Sequence, residues 1–254
     1  MLSTQRFFII SDPQIGNETQ VQSLDIKTNI VLQKISPDDI VIIPGDLTEK
    51  GVGQVNNPIH RYLAYCACFR KEGDIPEDNQ FRIFREKYLH PLDEKSKDVF
   101  FCNGNHDTYT QKWWGEQDVA KFIKKRYGGL HYMKKCNGIF VFSLSIYPNK
   151  KRIKWFESKL AKTTEPFVVF FHYNIEGPFS DWWSDDLKSM FLSVLQKHKE
   201  RCVFIAEGHY HSSYFKYLKD FLVVNGAGNA VVSIEVQTDE NHKIIKIDPK
   251  LLDK

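Results

Sequence analysis

The 254-residue sequence has no apolar run approaching the roughly 18 residues that a membrane-crossing helix needs. Its amino-terminal stretch "MLSTQRFFII" lacks an apolar segment of signal-peptide length. An excess of one charge is also missing. The 35 Lys and Arg and 32 Asp and Glu leave a net charge of +3 and are mixed along the chain, so no basic stripe points to nucleic acid. The short clusters "KKR" at 124–126 and "NKKR" at 149–152 read as solvated helix ends. Cysteine is scarce and odd in number, five in all, which argues against a disulfide framework and for a reducing compartment. Cys66 and Cys68 fall in a helical pattern where residues two apart face different ways, as small apolar residues would. No Gly/Ser/Pro-rich linker and no internal repeat divides the chain; "KGVGQVNNP" at 50–58 reads as a loop after a strand. A cytoplasmic protein with a single domain over residues 1–254 is expected.

What the sequence does have is a series of short apolar runs rich in β-branched and aromatic residues. They are "FFII" (7–10), "IVII" (40–43), "VFF" (99–101), "FVFSLSI" (140–146), "FVVFF" (167–171), "CVFIA" (202–206), "FLVV" (221–224) and "VVSIEV" (231–236). Continuous runs of this length predict strands buried on both faces. Helical patterns fall at about 22–35, 58–71, 80–89, 117–126, 152–162 and 185–199. Strands dominate after residue 200. The alternation predicts a layered α/β domain whose sheets are sandwiched between helices.

The ends of these runs carry the chemistry. "FFII" drives straight into "SDPQIG", placing the carboxylate of Asp12 at the rim of a sheet, where burying it is costly without a compensating positive charge. Asp46 follows "IVIIPG"; Asn105, His106 and Asp107 follow "VFFCNG"; His172 follows "FVVFF"; His209 and His211 follow "CVFIAEG". Ligands bind open α/β sheets at the carboxyl ends of the strands, so these groups should converge on one crevice. Asp12 and Gln14 are two apart, and an extended segment would send both side chains the same way; His209 and His211 repeat the spacing. Pro13 should favour that extended conformation at Asp12. With Gly45, Gly104 and Gly208 allowing sharp turns, the set suits divalent metals. Seven ligands are too many for one tetrahedral catalytic ion and match a two-metal site, in which Asp46 is the best bridging candidate.

In order, "SDPQ", "GDL", "GNHD", "FFH" and "GHYH" resemble the motifs of the calcineurin-like metallophosphoesterases, over about residues 6–226. "RYGGLHY", "SIYPN" and "DWWSDD" resemble a branch of that superfamily with a D-P-Q first motif. The resemblance implies two packed mixed β-sheets flanked by helices, a four-layer sandwich. It implies that Asp12, Gln14, Asp46 and His211 hold one divalent ion and Asp46, Asn105, His172 and His209 the other, the ions being Mn, Mg, Fe or Zn. It also implies that His106 protonates the leaving oxygen with Asp107 orienting it. The commonest first motif has histidine where this chain has Gln14, which bears on metal identity.

The expected activity is hydrolysis of phosphate monoesters, on a phosphoprotein or small phosphorylated metabolite, by a hydroxide that two metal ions make available. The alternatives are a phosphodiesterase acting on nucleotides or lipid headgroups, and a non-catalytic binding platform on the same fold. Tyr109, Trp113, Trp114, Tyr173, Trp182 and Trp183 lie in loops after candidate ligands, where they either shape a substrate pocket or pack loop on loop. Asn174 and Tyr210 either contact phosphate or stabilise turns.

Overall fold

Strand β1, Ser3–Ile9, sits in the middle of a five-stranded sheet because its apolar residues have cover on both faces. The computed structural model describes residues 2–49, 80–108 and 118–253. The helical pattern at 58–71 with Cys66 and Cys68, the loop at 50–58, and Tyr109, Trp113 and Trp114 lie outside the described residues.

After β1 come helix α1 (Glu18–Lys34), β2 (Ile40–Ile43), a helical run α2, β3 (Asp98–Phe101) and α3 (Asp118–Tyr127). There follow β4 (Tyr132–Cys136), β5 (Ile139–Ser143), α4 (Lys150–Leu160), β6 (Phe167–Phe170) and α5 (Asp185–Lys197). The chain ends in β7 (Cys202–Glu207), β8 (Ser213–Leu218), β9 (Phe221–Gly226), β10 (Val231–Thr238) and β11 (Ile244–Leu252). Run α2 consists of Gln80–Ile83, a π-helical turn over Phe84–Leu89, and His90–Lys95. Pro91 has no N–H and its ring crowds the preceding turn; the wider turn, in which the His90 N–H reaches back to the Arg85 carbonyl, accommodates it.

The strand order is β11-β10-β1-β2-β3 in one sheet and β4-β5-β6-β7-β9-β8 in the other. Strands β1, β2 and β3 are mutually parallel, with β10 and β11 antiparallel. Strands β5, β6, β7 and β9 are parallel, with β4 and β8 antiparallel at the two edges. Side chains alternate between two cores. Val168, Phe170, Phe204, Ala206, Leu222 and Val224 point between the sheets, where Phe204 meets Phe7 edge-on at 5.1 Å. Phe167, Val169, Phe171, Ile205, Phe221 and Val223 point outward into a second core with Phe156 of α4 and Phe191 of α5. Burial on both faces explains the unbroken apolar runs. The parallel strands of both sheets also bring the segments after β1, β2, β3, β6 and β7 to one edge of the sandwich.

Candidate metal centre

The hub of that edge is Asp46, fully buried in the turn after β2. Its Oδ2 lies 3.2 Å from Nε2 of His172 and 3.4 Å from Nε2 of Gln14, while Oδ1 accepts from the His106 N–H at 2.9 Å. Nε2 of His172 also faces Oδ1 of Asn105 at 2.8 Å, and its Nδ1 donates to the Pro44 carbonyl at 2.9 Å. Asp46, His172 and His209 each offer a ligand atom within 4.8 Å of the others. Asp12 is fully buried; both its oxygens accept from the His209 N–H at 2.9 Å, and Oδ1 lies 3.9 Å from Nε2 of His211. Nδ1 of His211 meets Nε2 of Gln20 at 3.3 Å. All seven candidate ligands therefore meet at one crevice.

The local backbone is not the expected extended one. Asp12, Gln14 and His209 have left-handed φ values of 52°, 39° and 67°, and Asp46 has 48°. Four of the nine non-glycine residues with positive φ among those described are candidate ligands. Each such conformation costs on the order of 1–3 kcal/mol and persists only where its surroundings enforce it. Here they do. The Gln14 N–H donates to the Asp46 carbonyl at 2.7 Å and the Ile15 N–H to Leu47 at 3.2 Å, so the first two loops hold each other in the turned form. Two glycines make the approach close enough. A Cβ on Gly104 would stand 2.0 Å from Oδ1 of Asp46, and one on Gly208 would stand 2.7 Å from Oδ2 of Asp12.

The electrostatics fit a cation. Burial pushes the Asp12 carboxyl up to about 7, and the neighbouring Asp46 adds to the effect. Burial works against His172 too, but the facing Asp46 and Asp12 override it and raise His172 to about 9. Asp46, Asn105 and His172 thus bring an anionic oxygen, an amide oxygen and an imidazole nitrogen to one point, a donor set for a divalent ion. Oε1 of Gln14 is buried without a hydrogen-bond partner, as a ligand awaiting an ion would be. The residues present therefore fit metal.

Asp107 is buried between two loops. Its carboxylate accepts from the N–H groups of Leu47, Thr48 and Gly104 and from the Thr48 hydroxyl at 2.8–3.1 Å, tying the loop after β2 to the loop after β3. The His106 ring is held by Glu49, with Nδ1 2.8 Å from the carbonyl oxygen and 3.5 Å from the carboxylate.

Three features escaped the sequence reading. Lys27 of α1 is fully buried, donates to the carbonyls of Ser11 and Gly226 at 3.1 and 3.0 Å, and its charge favours ionised Asp12. The positive charge sought for Asp12 is thus partly supplied by the chain itself. Glu207, also fully buried, accepts from the Ile175 N–H at 3.0 Å and from the Tyr214 hydroxyl. Phe179 is 62% exposed with a left-handed φ of 64°, and its ring lies 6.0 Å from that of His209. Its position in "EGPFSD", after Gly177 and Pro178, was the one available signal.

The aromatic candidates divide. Trp183 is buried in the outer core and donates to the Tyr173 carbonyl at 3.2 Å, so it packs loop on loop. Trp182 is 54% exposed and stacks on Tyr173 at 4.9 Å. Asn174 stabilises a turn, donating to the carbonyls of Glu176 and Pro178. His106, Phe179, His209, Tyr210, His211 and Ser212 line a cavity of about 450 Å³.

No curated protein matches the sequence. The fold is shared with a dimetal phosphatase of Danio rerio, at 13% identity over 96% of this chain and 98% of that one, with a TM-score of 0.56. It is shared with the 5'-nucleotidase precursor of Thermus thermophilus, at 14% identity, 98% of this chain and a TM-score of 0.52. The chain spans only 54% of that nucleotidase. GAP50, described as the anchor in the inner membrane complex of Plasmodium, matches at 13% identity over 99% of this chain and 90% of its own, with a TM-score of 0.54. The family model for calcineurin-like phosphoesterases matches residues 5–213, which include every candidate ligand, and the chain belongs to that family.

Proposed function

We propose that the 254 residues act as one phosphoesterase domain that hydrolyses phosphate monoesters at a dinuclear metal centre. In this reading Asp12, Gln14, Asp46 and His211 hold one ion, and Asp46, Asn105, His172 and His209 hold the other. The observation that carries it is the meeting of Asn105 Oδ1, Asp46 Oδ2 and His172 Nε2 at a single point, against the buried Asp46 and His172. Divalent ions there, drawn from Mn, Mg, Fe or Zn, would polarise phosphoryl oxygens and bring the pKa of water toward neutrality.

The chain's own part follows from its geometry. His172 donates its Nδ1–H to the Pro44 carbonyl, which leaves Nε2 as the nitrogen that would ligate an ion. Nδ1 of His106 donates to the Glu49 carbonyl, so Nε2 is the nitrogen that passes a proton to the departing oxygen. Asp107 acts on the loops, keeping Asp46 and His106 in register. The cavity beside His106 gives the leaving group an aromatic wall in Phe179 and Tyr210. Cys102, Cys136 and Cys202 are buried and unpaired, which supports a reducing, cytoplasmic setting. Among the described residues no helix is long and apolar enough to cross a membrane.

A panel of monoesters and diesters, assayed after loading with each ion in turn, tests the reading. The expected result is kcat/KM at least tenfold higher for monoesters. A preference for diesters would replace monoester by diester hydrolysis, and inertness toward both would remove the catalytic reading.

A further inference from the structure

The cluster "NKKR" is not simply a solvated helix end. Lys151, Arg152, Asn149, His131 and Trp155 line a second cavity of about 420 Å³. It draws together two stretches that supply no candidate metal ligand, "RYGGLHY" through His131 and "SIYPN" through Asn149. It lies beside the carboxyl end of β5, against the loop whose Ile146 carbonyl accepts from the His172 N–H at 2.9 Å.

Its charge is unbalanced. Other partly buried arginines have partners: Arg6 has Asp39, Arg126 has Asp93, and Arg201 is spread over the carbonyls of Leu160, Thr163 and Glu165. Arg152 is also half-buried, but among the described residues its guanidinium meets no carboxylate and donates to the Tyr147 carbonyl, at 3.3 Å. Lys151 next to it has no carboxylate partner among the described residues either. Burial and the adjacent guanidinium push His131 down to about 4, so it is neutral near pH 7, and its buried Nε2 has no hydrogen-bond partner. The Asn149 side-chain oxygen caps α4, accepting from the Arg152 backbone N–H at 3.0 Å. Trp155, edge-on to His131 at 6.5 Å, supplies an aromatic wall. A half-buried guanidinium with no carboxylate partner among the described residues, flanked by an ammonium and facing a concavity of small-molecule size, suits a phosphate-type oxyanion, which it can grip in bidentate fashion.

We propose that this cavity is a second anion site, taking a phosphate group through Arg152 and Lys151. The site is independent of the metal centre's occupancy. The phosphate belongs either to a remote part of a bisphosphorylated substrate or to a separate small molecule.

Inorganic phosphate titrated into the 254-residue chain, labelled with ¹⁵N at tryptophan, tests this. The Trp155 indole signal, assigned with Trp155→Phe, is expected to shift with saturation. Arg152→Gln should weaken that saturation at least tenfold, and the surface change Lys151→Gln by about threefold, while turnover of a simple monoester stays within twofold. A KM that rises in Arg152→Gln for a bisphosphate but not for a monophosphate assigns the phosphate to substrate; unchanged KM values with the Trp155 response lost assign it to a separate molecule. Both outcomes support the site. An indole signal that does not move with phosphate, or moves equally in both variants, overturns it.

Discussion

Asp46 is the residue whose loss should tell most. In the proposed centre it serves both ions, so Asp46→Asn is expected to abolish turnover while the protein stays folded, with metal content measured alongside activity. Retention of both ions at a near-normal rate would mean that Asp46 is not the bridge. His106→Ala should keep its metal yet lose about 10²–10⁴ in rate on an alkyl phosphate, and less on an ester whose leaving oxygen needs little protonation. Equal losses on both would make His106 a phosphate-binding residue. Gln14 tests metal choice. Its orphaned amide oxygen is harder than an imidazole nitrogen, so Gln14→His is expected to stay active and shift its preference from Mg or Mn toward Zn or Fe. That these residues would lie together was legible because each follows an apolar run. Their turned backbones were not, since left-handed φ at Asp12, Gln14 and Asp46 is imposed by hydrogen bonds between loops that are distant in sequence.

Among the elements, the strands with unbroken apolar runs were legible, the edge strand β3 included, and the other three edges were not. Every predicted run became a strand, and "IVII" matches β2 residue for residue. Strands β4, β8 and β11 went unseen because each is a sheet edge with a solvated side: "YMKKC" exposes two lysines, "SYFKYL" exposes Tyr217, and "IIKIDPKLL" carries Pro249. Such edges are shielded by charge and proline, which erases the apolar signal. Helix α1 was foreseen, but not that its Lys27 would turn inward and join the ends of β1 and β9. Lys27→Met leaves two buried carbonyls without their donor and Asp12 without its nearest lysine. It should destabilise the metal-free protein by about 3 kcal/mol or more, as read by urea unfolding. A loss below 1 kcal/mol would show that Lys27 is not a tie between these elements.

For the whole molecule, two linkages follow. His131 has its pKa depressed to about 4 by burial and by Arg152, against an ordinary value near 6.5. The unfolded chain therefore binds the extra proton between these values, so stability is complete above pH 6.5 and falls as pH drops toward 4. Thermal unfolding of His131→Gln across that window should show a shallower decline, by up to ~1.4 kcal/mol per pH unit. The second linkage is to metal. Ions that bind only the folded chain raise its stability by about 2.7 kcal/mol at a hundredfold excess over Kd. The measurement that bears most directly on the account is calorimetric titration of the metal-stripped chain with Mn²⁺, with phosphomonoester hydrolysis followed on the same samples. The account predicts two ions per chain in the native protein, activity rising with the second, and loss of both ions' tight binding in Asp46→Asn. No binding, or one ion per chain unaffected by Asp46→Asn, would contradict it.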